Sequence, residues 1–398
     1  MRSFAPQNSE SNPALPDWIC YTEAMIYCDN AATTMTKPPE VIAAVAASLA
    51  GFGNPGRASH GPSMEAARTI LAARTAIADL VGLANPLGVA FTSGATESLN
   101  LVVAGLVREG DHVIASPLEH NSVLRPLYRS GCRLSFIPCD DFGRLILDDL
   151  DSQVGPDTGF LFCTHGSNLS GSLSDIAGLK AFAAKHGLTF VLDVSQTVGC
   201  TEVRSDMADI LCFTGHKALY GPQGTGGIIV GGKIGFRPTK TGGSGSNSFD
   251  RNQSREMPDV FEAGTPNAHG LAGLAEGAAF VAGTGIGAIR LHGEELTGRF
   301  LSGIRGIPGI RIYGEEAVSG RLPIVALNLA GIPAWEAAEI LWEKHGIATR
   351  AGSHCAPLAH LHFGTEKEGM LRFSFGYHNT AEEVEIAVKA LGAMAGGG

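Results

Sequence analysis

The feature that most limits what this chain can fold into is a series of short apolar runs between Gly88 and Gly232. They read GVAFTS, HVIASP, RLSFIPC, GFLFCTH, LTFVLDVS, DILCFTG and GGIIVGG. Each is too short for a helix, and none alternates cleanly between apolar and polar residues. Between the earlier ones lie segments with apolar residues at helical spacing, such as SMEAARTILAARTAIADLVG, NSVLRPLYRSG and DIAGLKAFAAKHG. A strand that is apolar on both faces needs cover on both faces. Such strands separated by helices imply an α/β fold, a mainly parallel sheet with helices on either side. Ligands of such sheets gather at the carboxyl ends of the strands.

The pattern breaks at 241–259, where TGGSGSNSFDRNQSREMPD reads as a loop or short hairpin. A helical region follows from about Gly270 to Gly306. Then IRIYG, PIVALNLAG, AWEAAEILWEKHG, IATRAG and MLRFSFGY make a smaller α+β unit. Its last helix starts at Thr380 with Glu383 three residues on, a capping box. The expected organisation is a loose tail over 1–24, a large domain over 25–280 and a small C-terminal domain over 281–398.

Charge and cysteine usage exclude several classes of function. The formal charge is −10, and no Lys/Arg stripe exists to neutralise phosphates, so a nucleic-acid binder is not expected. No apolar run has membrane-spanning length. The 8 cysteines form no C-x-x-C pair and follow no secretory segment, so a reducing cytoplasm is the expected setting.

The residues suited to chemistry fall after the strands. FTGHKALYGPQGTGG sets Lys217 in a glycine-rich turn with Thr214 and His216. Glycines allow close backbone approach to a ligand, and a desolvated amine can form a Schiff base. The motif is not a Walker loop, since G-x-x-x-x-G-K-[ST] is absent. FVLDVSQTVG ends a strand at Asp193, with Gln196 three residues later. Beside a lysine-bound pyridoxal phosphate, such an acid keeps the pyridine nitrogen protonated. FTSGATESLN sets Gly94, Ala95 and Thr96 at a strand-to-helix turn suited to a phosphate. SPLEHNSVL adds His120, whose flat ring can stack on a cofactor, and THGSNLSG adds Asn168. Any one of these has a bland structural explanation; five strand-end loops each offering a suitable group point to a cofactor.

With these residues in place, the chain resembles the cysteine desulfurase branch of the class V, fold-type I pyridoxal-phosphate enzymes. The landmarks YCDNAATT, GNPGRASH, FTSGATESLN, LEHNSV, LDVSQTVG, FTGHKALYGPQGTGG, FEAGTPN, RAGSHCAP and LRFSFGYHNT run in family order from about Ile26 to the last helix. The resemblance implies pyridoxal phosphate as cofactor, held covalently by Lys217, which also moves protons. It implies that His120 stacks on the ring, Asp193 pairs with the ring nitrogen and Gln196 bonds the phenolic oxygen. Thr96, Thr214 and His216 would hold the phosphate. Thr265 would reach the cofactor of a neighbouring subunit, which makes a homodimer the expected unit. Arg372 would clamp the substrate carboxylate, helped by Asn168 and Arg350.

One cysteine remains to be weighed, Cys355 in RAGSHCAPLAHLH. Its neighbours His354, His360 and His362 invite a metal site, but the spacing fits no C-x-x-C or H-E-x-x-H pattern. An extended RAGSHCA would also send His354 and Cys355 to opposite faces. A buried inert thiol is the alternative that composition favours. The nucleophile reading rests on Arg350 and Arg372, which flank Cys355 in sequence and favour a thiolate. The resemblance agrees and implies that Cys355 takes the substrate's sulfur as a persulfide. R-x-G-x-H-C with Arg372 seventeen positions on resembles the second desulfurase group, although Ser353 stands where many members have a second histidine. The expected activity is conversion of L-cysteine to L-alanine, with an acceptor protein as a further partner. Selenocysteine lyase, a class V aminotransferase or other pyridoxal-phosphate lyase, and a non-catalytic scaffold are the rivals.

Overall fold

A computed structural model describes residues 25–56, 59–243 and 249–396. The tail expected over 1–24, part of GNPGRASH and the middle of the 241–259 segment lie outside the described residues. The chain begins with β1 (Ile26–Tyr27), α1 (Pro39–Gly51) and α2 (Gly61–Leu80). A seven-stranded sheet follows: β2 (Val89–Thr92), β3 (His112–Ala115), β4 (Arg133–Phe136), β5 (Thr158–Thr164), β6 (Thr189–Asp193), β7 (Ile210–Thr214) and β8 (Gly226–Val230). Their order is β2-β8-β7-β6-β5-β3-β4. Only β8 runs against its neighbours, so the sheet is mainly parallel, as the apolar runs require.

Both faces of this sheet are covered. Along β7, Leu211 and Phe213 enter one core with α2, α5 (Ile176–His186) and α6 (Ala268–Thr284), while Ile210 and Cys212 enter the other with α3 (Ala95–Leu106) and α4 (Asn121–Ser130). That alternation is the pleat of a strand apolar on both sides. The glycines of β8 permit its close fit: a Cβ on Gly226 would lie 2.5 Å from the Cα of Gly94 and 2.6 Å from the carbonyl oxygen of Phe213.

The second unit contains α7 (Ile286–Ile304), β9 (Ile310–Tyr313), β10 (Ile324–Leu329), α8 (Ala334–His345), β11 (Ile347–Ala348), β12 (Arg350–Gly352), α9 (Pro357–Phe363), β13 (Met370–Ser374) and α10 (Ala381–Gly396). β12, β13, β10 and β9 form an antiparallel sheet in that order. The capping box opens α10: Thr380 N–H donates to Glu383 Oε2 at 3.0 Å, and Glu383 N–H to Thr380 Oγ1 at 3.2 Å.

The first residues of the expected large domain pack with the second unit. β1 pairs with β11, Asp29 bridges Ser374, and Ile26 and Cys28 are buried in the core of the second unit. A two-residue strand has no period to read, and its partner is more than 300 residues away, so local patterning assigns it to whatever follows in sequence. Beyond it, residues 30–37 cross to the large sheet, where Thr33 Oγ1, Thr34 Oγ1 and Lys37 Nζ all donate to the carbonyl of His216. The segment is a strap between the two units. No single helix among the described residues is long and apolar enough to cross a membrane.

Candidate active site

β2, β3, β5, β6 and β7 run parallel, so their carboxyl ends share one sheet edge. A cavity of about 430 Å³ opens there, of a size ordinary for a small-molecule site. Gly94, Ala95, Thr96, His120, Asn168, Asp193, Gln196, Thr214, His216 and Lys217 line it from the large sheet, and Arg350, Cys355 and Arg372 line it from the second unit. Thr265 alone of the expected site residues is elsewhere. It lines a neighbouring groove with Met64, Leu71, Phe91 and Lys240, and that groove shares Ser93, Glu97 and Gly224 with the cavity.

The large-sheet side of the cavity fits pyridoxal phosphate on structural grounds. Gly94 takes φ 151°, open to glycine, and caps the N-terminus of α3, where unpaired N–H groups favour an anion. The buried Nδ1 of His216 has no partner among the described residues. The Asp193 carboxylate accepts from Ser195 N–H at 2.9 Å and from the Ser195 hydroxyl, both on Oδ1, so Oδ2 remains for a protonated ring nitrogen. His120 accepts from Ser122 N–H on Nδ1 at 3.0 Å, and the Ser122 hydroxyl also lies 2.7 Å from Thr96 Oγ1. Ser122 therefore ties the imidazole to the turn that opens α3. Gln196 Nε2 donates to the carbonyl of Ala31 in the strap at 3.0 Å.

Electrostatics sort these groups. Burial lowers the Lys217 amine to about 8, against the pull of Asp193, so a usable fraction is unprotonated near neutral pH. Burial, with the Lys217 charge behind it, holds His120 well below its ordinary value and keeps the imidazole neutral. His216 falls to about 4 for the same two reasons. Glu119 was not singled out from the sequence, although it precedes His120 in LEHNSV. It is fully buried, and burial raises its carboxyl to about 8, with Asp193 adding and the bonds from Ser116 and Thr164 opposing.

The second unit supplies the cysteine, and here one expectation is corrected. Only Arg350–Gly352 of RAGSHCA is extended; His354 and Cys355 take φ 48° and 55° in a left-handed turn. For non-glycine residues this conformation costs about 1–2 kcal/mol each. Bonds from the large unit hold it: Asn168 Nδ2 donates to the carbonyl of His354 at 2.7 Å, and Asn121 N–H to that of Cys355 at 2.8 Å. Periodicity carries no sign of such a turn. The histidines are engaged separately, His360 with Thr365 Oγ1 at 2.8 Å and His362 with the carbonyl of Asp140 at 2.8 Å.

Arg372 is 2% exposed, and its guanidinium is already occupied. Nη2 donates to Asp29 Oδ1 at 2.6 Å and Nη1 to the carbonyl of Asn168 at 2.8 Å, while Nε is buried without a partner among the described residues. Asp29 is a second residue that sequence reasoning passed over, though it stands in YCDNAATT.

The model of the family described as aminotransferase class-V matches residues 26–386. A protein of Pyrococcus abyssi named "probable cysteine desulfurase" is 32% identical, the match covering 94% of this chain and 95% of that one. A cysteine desulfurase of Shigella flexneri is 31% identical, covering 92% of each. Among solved structures, the apo cysteine desulfurase of Thermococcus onnurineus superposes with a TM-score of 0.87 at 32% identity, covering 94% of this chain and 95% of that one. CsdA, a cysteine desulfurase of Escherichia coli solved in an S-sulfonic acid form, gives 0.82 at 28% identity, covering 96% of each.

Proposed function

The chain belongs to the aminotransferase class-V family, and we propose that within it the protein is a pyridoxal-phosphate-dependent cysteine desulfurase that converts L-cysteine to L-alanine and keeps the sulfur as a persulfide on Cys355. The observation that carries this reading is the meeting of Lys217, Asp193 and His120 with Cys355 and Arg372 around one cavity. The cofactor, when bound, supplies an electron sink next to the substrate's α-carbon. Asp193, His120 and Gln196 would hold its ring, and Gly94, Ala95, Thr96, Thr214 and His216 its phosphate. Lys217, with an amine near 8, is suited to hold and return a proton at the substrate's α-carbon.

Arg372 would orient the substrate carboxylate, with Asn168 and Arg350 beside it. Cys355, which lines the same cavity, would meet the substrate's thiol. In the transfer, an S–S bond forms between Cys355 Sγ and the substrate sulfur. The Cβ–S bond breaks with its electron pair left on the carbon fragment, and a proton delivered to Cβ gives alanine. The sum is Cys355–SH plus L-cysteine to Cys355–S–SH plus L-alanine, with no external oxidant.

Thr265, on a groove outside the cavity, supports a homodimer in which it reaches the partner's cofactor. Seven free cysteines among the described residues support a reducing, cytoplasmic setting. The test is to incubate the protein with L-cysteine and locate sulfur by mass spectrometry. The expected result is a 32-dalton gain (the mass of one sulfur atom, roughly) on the Cys355 peptide, and a loss of alanine formation of at least about 100-fold in Cys355→Ala. Sulfur on another cysteine, or full activity in the variant, would overturn the assignment.

A further inference from the structure

Arg372 holds a carboxylate before any substrate arrives. Its Nη2 is bonded to Asp29 Oδ1 at 2.6 Å, and the pair is largely shielded, with side chains 2% and 19% exposed. Arg350 stands directly across from Arg372 on the neighbouring strand, so the two cations repel where the strands pair. Asp29 offsets that repulsion and reaches the guanidinium from the strap, which is anchored on β13 through the Asp29–Ser374 bridge.

A guanidinium offers two planar edges for two-point recognition of a carboxylate, Nε with Nη2 and Nη1 with Nη2. Both edges use Nη2, the nitrogen Asp29 holds. Nη1 is also engaged, by the carbonyl of Asn168, and Nε is buried and unpartnered among the described residues. A substrate carboxylate therefore reaches a complete edge of Arg372 only by sharing or displacing the Asp29 bond.

Resting on the desulfurase reading above, we infer that Asp29 is a resident counter-carboxylate that competes with the substrate's carboxylate for Arg372 and so sets the affinity for amino-acid substrates. It acts through Arg372 and is a positioning residue. The competition is electrostatic, two like charges drawn to one cation, and it disappears when either carboxylate is made neutral.

The test uses the cofactor-loaded protein with Asp29→Asn, which keeps an acceptor oxygen for Nη2 and removes the charge. The expected result is a KM for L-cysteine lower by roughly three- to tenfold with kcat changed far less, as for loss of one charge interaction. The Kd of L-alanine, which has no sulfur to transfer, should fall by the same factor when read from the cofactor's absorbance. L-Cysteinamide, which lacks the carboxylate, should bind both proteins alike. A KM and Kd unchanged in Asp29→Asn, even with a lowered urea midpoint, would make Asp29 a structural counter-ion only and overturn the inference. A raised KM would overturn it as well. Failure of the unmodified protein to form a persulfide from L-cysteine would instead refute the desulfurase reading.

Discussion

Glu119→Gln should make the protein more stable at alkaline pH and leave it nearly unchanged in acid. Glu119 is fully buried in the turn that follows β3, one residue before His120. Its Oε1 accepts from Ser116 Oγ and from Thr164 N–H, each at 2.6 Å, and its Oε2 has no partner among the described residues. Burial raises this carboxyl from 4.5 to about 8. The unfolded chain thus loses the proton near pH 4.5, whereas the folded protein keeps it until about pH 8. Between these values the folded state binds more protons than the unfolded state, so stability falls as pH rises. Each pH unit removes up to about 1.4 kcal/mol, and the whole interval about 5 kcal/mol at most. Glutamine preserves the acceptor for Ser116 and Thr164 and cannot ionise. Urea unfolding of both proteins from pH 5 to 8.5 isolates the effect, because other titrating groups cancel in the difference. The variant should gain about 2–4 kcal/mol on the parent between pH 5 and 8. A stability difference that stays constant across that range would refute a proton held on Glu119.

Two further outcomes follow from the same site. Protein stripped of cofactor should take up pyridoxal phosphate at a rate that rises with pH around a midpoint near 8, the value to which burial lowers the Lys217 amine; a midpoint above 10 would mean the amine is hydrated. Asn168→Ala removes the side-chain bond to the carbonyl of His354 and should speed alkylation of Cys355 by iodoacetamide about three- to tenfold, the loss of one buried hydrogen bond. Peptide mapping locates the label, and an unchanged rate would mean the Asn121 amide alone holds the turn.

What the sequence made legible was whatever is local. Seven apolar runs became the seven strands of the large sheet, and the groups after five of them line one cavity, because a parallel sheet brings its strand ends to one edge. The reversal of β8 was not readable, since an apolar run looks the same in either direction. The turn at His354 and Cys355 escaped because neither residue is a glycine and the conformation depends on two bonds from the other unit. The pairing of Asp29 with Arg372 spans 343 positions. Patterning in a window of a dozen residues contains nothing about such a pair.

The strap has a consequence for how the protein is made. Asn30 Nδ2 donates to Asn379 Oδ1 across 349 positions, and β1 finds its strand partner only at β11. At ribosomal rates of about 5–20 residues per second, the start of the chain waits roughly 20–70 s for the segment that completes it. The strands from β2 to β8 can meanwhile pair with one another as they emerge. The nascent chain can therefore present Lys217 and Asp193 on an assembled sheet while Cys355 and Arg372 are still untranslated. Under the proposed reading, sulfur transfer waits until the segment carrying Cys355 and Arg372 joins the sheet, and a chain cut before that segment would hold the cofactor without its nucleophile.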